Sequence, residues 1–435
     1  MNRSADIVVI GAGIIGCAIA FELSKRDHDV IVVDKLPTAG YGSTSNSCAI
    51  VRFHYSTYDG VALAHESAQA WMNWPEYCGV EDEKGFAEFV RCGSVVLKSE
   101  IRDYSRYRRE FDRVGVRYEE LDTSELSRRF PFIDVGDFGP PRSPDDPDFD
   151  TPPDRSLTGA IFTPDAGYVS DPQLAAHNLM RAAEARGATF LFEQEVVGIP
   201  TTAGRAAGVD LAGGHRIDAP IVVNVAGPHS FVINRMAGVI DDMRISTRAL
   251  RHEVHHVPAP AGVDFNRSGT TFSDSGNGVY CRPETGNHIL VGGEDPDCDP
   301  RVWVDDPDDF DRNLTRQVFE AQVYRLAKRI PDLPIPDRPK GLVDLYDVTD
   351  DWIPIYDKSS LPGFYMAVGS SGNQFKNASG AGHLMAELIE AVEAGHDHDA
   401  DPLQIEMPYT GLVLDVGFYS RNRALNPDST YTVLG

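Results

Sequence analysis

The opening of the chain combines an apolar run, a glycine-rich turn, a helical stretch and a second apolar run. Residues 7–10 (Ile-Val-Val-Ile) are continuously apolar, which is typical of a buried parallel strand. The turn Gly-Ala-Gly-Ile-Ile-Gly follows at residues 11–16, and residues 17–23 have helical character. A second apolar run, residues 30–33, ends at Asp34. This order predicts one βαβ unit.

Similar patterns predict further elements. Helices are expected around residues 61–74, 100–114, 173–186 and 312–328, strands near 93–97, 189–192, 195–199 and 221–224, and a last helix from about 379 to 394. Residues 134–154 are rich in Pro, Asp and Gly, so we expect a surface loop there, with a substrate lid as the less favoured alternative. Residues 400–435 are expected to be polar and irregular.

Composition narrows the class of protein. The chain has 435 residues and a net charge of -26, which disfavours nucleic acid and anionic membranes as partners. No apolar run reaches the ~20 residues that span a bilayer, and the start lacks a signal-peptide pattern, so we expect a cytoplasmic protein. The six cysteines form no CxxC pair, which favours free thiols and predicts no metal site.

The glycine turn carries the first chemical prediction. Gly11 allows a tight turn, Gly13 lets a pyrophosphate approach the backbone, and Gly16 lets helix and strand pack closely. The start of the following helix then faces the phosphates. Asp34 lies where a carboxylate can accept hydrogen bonds from a ribose. The unit therefore predicts a dinucleotide, either FAD or NAD.

Four further segments resemble the D-amino acid oxidase superfamily of FAD enzymes. They are residues 40–47 (GYGSTSNS), 222–228 (VVNVAGP), 279–284 with 289–293 (VYCRPE and ILVGG), and 369–376 (GSSGNQFK). They occur in the family order, and the nearest branch is the sarcosine oxidase and dimethylglycine dehydrogenase group. The resemblance implies an α/β fold with a Rossmann-like FAD-binding domain and an interleaved mixed-sheet α+β substrate domain.

The resemblance also implies domain boundaries and cofactor contacts. The FAD-binding domain is expected to comprise residues 1–80, 155–240 and 336–400, the substrate-binding domain residues 81–154 and 241–335, and a C-terminal tail residues 401–435. The small residues that open the last helix imply a flavin-facing helix end, or alternatively an ordinary packing site. The implied FAD contacts are Gly11, Gly13, Ile14, Ile15, Gly16, Asp34, Lys35, Gly42, Ser43, Thr44, Asn46, Ser47, Val197, Ala226, Gly227, Gly372, Asn373, Gln374, Phe375 and Lys376.

Five residues are implied to form the catalytic site. Arg52 and Lys376 match positions that hold a substrate carboxylate, and such a pair suits a carboxylate chemically. Tyr346 matches a tyrosine of the pocket wall. Tyr280 replaces the lysine that promotes reaction with oxygen in sarcosine oxidases, which leaves a dehydrogenase possible. His252 is the candidate for a pocket histidine.

The attachment of the flavin differs from the family pattern. Asp344 stands where sarcosine oxidases have a flavin-linked cysteine, and Asn46 where dimethylglycine dehydrogenases have a flavin-linked histidine. Neither side chain can make such a link, so we expect non-covalent FAD. Cys48 is an outside candidate for a covalent bond.

These features lead to an expected reaction. A small secondary or tertiary amino acid binds through its carboxylate, hydride passes to flavin N5, and water hydrolyses the resulting imine. The electron acceptor is O2 or an electron-transfer protein. The alternatives are a flavin dehydrogenase of a 2-hydroxy acid and a flavin-bound subunit of a larger complex.

Overall fold

A computed structural model describes residues 3–100 and 103–435 of the chain. The strands are β1 (Arg3–Ser4), β2 (Ile7–Ile10), β3 (Val30–Val33), β4 (Ile50–Val51), β5 (Phe89–Val90), β6 (Ser94–Lys98), β7 (Glu119–Leu121), β8 (Gly159–Thr163), β9 (Gly167–Val169), β10 (Thr189–Leu191), β11 (Val196–Gly198), β12 (Thr201–Thr202), β13 (Arg205–Ala206), β14 (Gly208–Leu211), β15 (His215–Asp218), β16 (Ile221–Asn224), β17 (Thr247–Pro258), β18 (Thr271–Asp274), β19 (Val279–Glu284), β20 (His288–Gly293), β21 (Val302–Val304), β22 (Gly341–Thr349), β23 (Ile355–Lys358), β24 (Phe364–Val368), β25 (Gln404–Glu406) and β26 (Val413–Asp415).

The helices agree closely with the sequence pattern. They are α1 (Ile14–Ser24), α2 (Tyr58–Met72), α3 (Trp74–Cys78), α4 (Ser105–Val114), α5 (Thr123–Arg129), α6 (Pro172–Glu184), α7 (Ser230–Met236), α8 (Phe265–Ser268), α9 (Arg316–Arg329) and α10 (Ala378–Glu393), with short 3-10 turns at Gly227–His229, Ile240–Asp242, Phe375–Asn377 and Val416–Tyr419. Part of the predicted helix at 100–114 lies outside the described residues, and α4 covers its second half. Across the described residues, no helix is both long and apolar enough to cross a membrane.

The first sheet has the order β10-β3-β2-β16-β24-β23, and it is parallel except for β23. Alternate residues of β2 face opposite sides of it. Ile7 and Val9 pack against helices α1, α6 and α10, whereas Val8 and Ile10 pack toward the smaller sheet β1-β15-β14-β11. Because both faces are covered, the strand reads as a continuous apolar run. The Rossmann-like prediction is confirmed.

The second, larger sheet is mixed and has the order β21-β17-β20-β19-β18-β6-β8-β7, with β22 also pairing with β17. Helix α9 covers it through Phe319, Val323 and Leu326. Strands β8 and β22 belong to this sheet, although their residues fall within segments assigned from the sequence to the FAD-binding domain. The exact domain boundaries stay a prediction.

Residues 134–154 form a loop, as predicted, and basic side chains of α9 hold it against the larger sheet. Arg325 Nε donates to the carbonyl of Arg142 at 2.9 Å, and Arg329 Nη1 donates to that of Gly136 at 2.9 Å. Arg325 and Arg329 are themselves buried. The first half of the loop is therefore bound to the body of the protein.

The 401–435 region is more ordered than its polar sequence indicates. Strands β25 and β26 form an antiparallel pair, and Leu414, Val416 and Tyr419 enter the main hydrophobic core. The prediction of an irregular region was wrong because a few well-spaced apolar residues suffice to dock it. A buried ion pair, Arg423 to Asp351 at 2.7 Å, fixes the chain beyond this point.

The small residues of α10 serve helix packing. A Cβ on Gly382 would lie 2.8 Å from the carbonyl oxygen of Ala18, and a Cβ on Gly380 would lie 2.5 Å from the side chain of Leu63. These glycines let α10 approach α1 and α2 closely. The packing alternative for this helix start is thus supported by direct contacts.

Candidate active site

One large cavity, of about 570 Å³, lies between the two sheets. It brings together segments from most of the chain, including the glycine turn, the 42–48 loop, the end of β16 and the 372–376 loop. The predicted residues that line it are Gly11, Gly13, Ile14, Ile15, Gly16, Asp34, Lys35, Gly42, Ser43, Thr44, Asn46, Ser47, Arg52, Ala226, Gly227, His252, Tyr280, Tyr346, Gly372, Asn373, Gln374, Phe375 and Lys376.

Val197 is the predicted contact that does not line the cavity. Its side chain is 51% exposed, and the neighbouring Val196 contributes to the lining instead. The two residues lie on β11, where successive side chains point to opposite faces.

The three glycines of the turn differ in the space around them. Gly11 has a φ of 109°, and a Cβ there would lie 2.4 Å from the carbonyl oxygen of Val225. A Cβ on Gly16 would lie 2.0 Å from the carbonyl oxygen of Gly11. At Gly13, by contrast, the nearest atom to a Cβ is Thr44 Oγ1 at 3.3 Å. Gly11 and Gly16 therefore build the turn, and Gly13 leaves the backbone open toward the cavity.

Asp34 closes the turn from the end of β3. Its Oδ2 accepts a hydrogen bond from the Ala12 amide at 2.7 Å, and its Oδ1 accepts one from the Leu36 amide at 2.8 Å. Burial raises the pKa of this carboxyl, and the hydrogen bonds from the two backbone amides oppose the increase. The carboxylate is thus fixed beside the glycine turn, with lone pairs remaining for ribose hydroxyls. These residues fit the AMP half of FAD.

A charged bridge closes one edge of the cavity. Lys35 Nζ donates to the two carboxylate oxygens of Asp308 at 2.6 and 2.7 Å and lies 3.0 Å from His229 Nε2. Burial lowers the pKa of His229, and the Lys35 charge lowers it further. The bridge joins the end of β3 to the 306–312 loop, which also lines the cavity.

Arg52 and Lys376 lie at the other end of the cavity, and both contact Tyr55. The Arg52 guanidinium carbon is 4.6 Å from the centre of the Tyr55 ring, and Lys376 Nζ is 5.1 Å from it. Lys376 Nζ donates to the Tyr55 hydroxyl at 2.9 Å and to the Asn373 carbonyl at 2.5 Å. Burial lowers the pKa of Lys376 well below its ordinary value, and the charge of Arg52 adds to this effect.

The guanidinium of Arg52 is held by main-chain carbonyls. Nη1 donates to His54 O at 2.5 Å, while Nη2 donates to Val433 O at 2.8 Å and to Leu434 O at 3.0 Å. Two of these three acceptors come from the last residues of the chain, which also line the cavity.

An aromatic wall completes this end. The His252 ring stacks on Tyr346 with centroids 4.1 Å apart, and His252 Nε2 lies 2.7 Å from Asp295 Oδ1. The Tyr280 hydroxyl lies 3.5 Å from Cys48 Sγ. Burial raises the pKa of both tyrosine hydroxyls, so they are neutral at physiological pH. Gly372 makes room for Tyr346, because a Cβ there would lie 2.4 Å from the ring.

Asn46 and Asp344, which the resemblance matches to flavin-linked positions, are adjacent in space. Asn46 Nδ2 donates to Asp344 Oδ2 at 2.5 Å, although the residues are 298 positions apart. Each of these two side chains therefore has the other as a hydrogen-bond partner. Cys48 is a free thiol beside them, and burial raises its pKa, which keeps it protonated. All six cysteines are free, as predicted.

Sequence patterns did not point to several lining residues. Val433, Leu434 and Asp308 occur in segments without strand or helix periodicity. Outside the cavity, Asp82, Glu83 and His177 have atoms within 4.8 Å of one another, and His177 pairs with Asp82 at 2.9 Å. No local pattern in the sequence predicts that Asp82, Glu83 and His177 come together.

Comparisons with known proteins give the family context. Residues 6–388 match the family described as FAD dependent oxidoreductase. The chain is 24% identical to glycine oxidase of Geobacillus kaustophilus, over 91% of this chain and 96% of that protein. It is 25% identical to sarcosine oxidase subunit beta of Rhodobacter capsulatus, over 89% of this chain and 85% of that protein. The fold of L-proline dehydrogenase from P. horikoshii superposes with a TM-score of 0.75 at 22% identity, covering 97% of this chain and 98% of that one.

Proposed function

This chain belongs to the FAD-dependent oxidoreductase family, and from that premise we propose that it oxidises the C–N bond of a small secondary or tertiary amino acid resembling sarcosine or another N-alkyl amino acid. The names of its relatives are compatible with such a substrate, since glycine and sarcosine are both small amino acids. We further propose that Arg52 and Lys376 form the subsite for its carboxylate.

The observation that carries the proposal is a pair of buried basic side chains without acidic partners. Arg52 is 7% exposed and Lys376 is 3% exposed. Across residues 3–100 and 103–435, neither side chain forms a salt bridge with a carboxylate. Burying basic groups without counter-charges is costly, so the arrangement favours binding of an anion. A carboxylate placed there would also return Lys376 toward its charged form.

The remaining residues suit an amine. FAD, when bound, supplies the acceptor for the hydride, and the imine that remains is hydrolysed by water. Tyr280 and Tyr346 present neutral hydroxyls and aromatic faces, so this part of the pocket has low polarity. Low polarity disfavours the ammonium form and thereby promotes the neutral amine that can be oxidised. The carboxylate subsite fixes the orientation of the amino acid.

Anaerobic bleaching of the flavin absorbance tests the substrate class. Sarcosine, N-ethylglycine and proline are compared with glycolate and lactate, which replace the amine by a hydroxyl. We expect reduction by the amino acids alone. Reduction by the hydroxy acids alone would refute the proposal. Readmission of oxygen after reduction then separates an oxidase, which reoxidises rapidly, from a dehydrogenase that passes electrons to another acceptor.

Non-covalent FAD is part of the proposal. Asn46 and Asp344 are hydrogen-bonded to each other, and neither side chain can form a covalent link to the flavin. Precipitation of the protein with trichloroacetic acid should leave all of the yellow colour in the supernatant. Colour that stays with the precipitate would contradict non-covalent binding. In that case, replacing Cys48 by serine would test the one thiol beside this pair.

A further inference from the structure

Within residues 429–435, Val433 and Leu434 line the cavity that holds Arg52. Val433 and Leu434 are both buried, and the Val433 side chain packs in a cluster with Trp352 and the ring of Tyr346. Ser56 Oγ donates to the carbonyl of Gly435 at 3.0 Å. This segment, called the latch below, therefore lies along the proposed carboxylate subsite.

The contacts of the latch use the same donors that the proposed substrate needs. Arg52 Nη2 donates to two latch carbonyls, those of Val433 and Leu434. A carboxylate presents two oxygens to a guanidinium in much the same way, but with a negative charge. Two neutral carbonyls are weaker acceptors for a cation than one carboxylate. A bound carboxylate and the latch cannot both engage this nitrogen fully.

The way the latch is attached allows it to move as a unit. Upstream, Arg423 pairs with Asp351 at 2.7 Å, and Ser429 Oγ donates to the Asp351 carbonyl at 2.5 Å. Beyond Ser429, the latch accepts hydrogen bonds from Arg301, Arg52 and Ser56. Val433 adds apolar packing against the cluster that contains Trp352. Tyr431 has a φ of 53°, a conformation that is unfavourable for a residue with a side chain. Release of residues 430–435 would relax this strain, while the bonds of Arg423 and Ser429 to Asp351 stay intact.

We propose that residues 429–435 are an internal competitor of the substrate: their carbonyls occupy Arg52, and the carboxylate of an incoming amino acid displaces them. The inference rests on the proposed role of Arg52 in carboxylate binding. Because only molecules with an open latch bind, the apparent Kd for any ligand of this subsite is the intrinsic Kd divided by the fraction of molecules in which the latch is open. The latch thus sets how much substrate is needed to open the pocket.

The test measures binding of acetate, a carboxylate that cannot be oxidised as an amine, through the flavin absorbance of the FAD-loaded protein. Deleting residues 429–435 should lower the Kd for acetate by about tenfold, since two hydrogen bonds to a charged group no longer compete. An unchanged or higher Kd would overturn the proposal, because the segment would then be a fixed wall of the pocket.

Point variants give the same test without a deletion. Leu434 is 4% exposed, and Leu434→Ala should loosen the latch and lower the acetate Kd by about threefold. Leu425→Ala is the matched control, because Leu425 is 52% exposed and lies upstream of the latch. Equal Kd values for the two variants would count against the proposal, even if the deleted protein failed to retain flavin.

A second readout follows the latch itself. The latch contains a hydrogen bond of its own, in which the Gly435 amide donates to the Thr432 carbonyl at 3.0 Å. Saturating acetate should accelerate hydrogen exchange in the 429–435 peptide of the intact protein, and unchanged exchange would contradict displacement. Arg52→Gln in the deleted protein separates the two proposals. Acetate binding that survives this change would refute the Arg52 subsite, whatever the latch does.

Discussion

The glycine turn and the Arg52 subsite occupy opposite ends of one cavity, and they are assembled in different ways. The turn takes its parts from residues 11–34, and its main contacts are made by backbone atoms and one carboxylate. The Arg52 subsite joins residues more than 300 positions apart, and its polar atoms are bonded to one another or to the latch. The first end is preformed, whereas under the two proposals above the second end exchanges hydrogen bonds when a ligand arrives.

This difference has a physical consequence for mutations. A preformed turn with no free space fails when an atom is added, because the backbone around it cannot move away. A subsite of interchangeable hydrogen bonds tolerates replacement structurally and loses affinity or rate instead. Three changes, ordered from the largest expected effect to the smallest, sharpen the contrast.

Gly16→Ala should have the largest effect. Its Cβ would lie 2.0 Å from the carbonyl oxygen of Gly11, so the turn must open. We expect loss of bound flavin and a decrease of about 3 kcal/mol in the free energy of unfolding. Gly198→Ala is the control, since its Cβ would meet nothing closer than 3.4 Å. Flavin content and urea unfolding are measured for both variants. Normal flavin content in Gly16→Ala would contradict the view that the glycine turn is preformed and cannot adjust.

Lys376→Met should act on rate and leave the fold intact. The apolar side chain replaces a buried amine, so we expect normal flavin content and a melting temperature no lower than before. Loss of one carboxylate partner should reduce kcat/KM for the amino acid substrate by about 100-fold. Lys84→Met, at an exposed position, is the control. Loss of flavin in Lys376→Met but not in Lys84→Met would show that the Arg52 end of the cavity is also preformed.

Asp347→Asn should give the smallest and most pH-dependent effect. Burial raises the pKa of Asp347 to about 7, so the folded protein holds a proton that the unfolded chain releases near pH 4. Stability contributed by this proton is present at low pH and lost as the pH rises through about 7. An asparagine can still accept from the Gly369 amide, which donates to Asp347 Oδ2 at 2.6 Å.

The urea midpoint of Asp347→Asn relative to the unmodified protein should therefore increase from pH 5 to pH 8. The exposed Asp350→Asn is the control and should show a constant difference. A constant difference for Asp347→Asn as well would mean that the carboxyl stays ionised in the folded protein.

The sequence predicted the preformed end of the cavity well. Strand, glycine turn, helix and Asp34 are contiguous, so local periodicity and glycine spacing specify them directly. The pairing of Asn46 with Asp344 and the contact of Arg52 with Leu434 span 298 and 382 positions. Such contacts depend on how the two sheets are placed, which no local pattern encodes. The same reason explains why the docking of residues 401–435 was missed.

The bridge from Lys35 to Asp308 also concerns the assembly of the holoprotein. Asp308 is 59% exposed on its side chain, and ion pairs of such exposure contribute little and are screened by salt. The edge of the cavity beside the glycine turn is therefore held only weakly. If the coenzyme enters past this bridge, the rate of its uptake by the folded chain should increase with ionic strength.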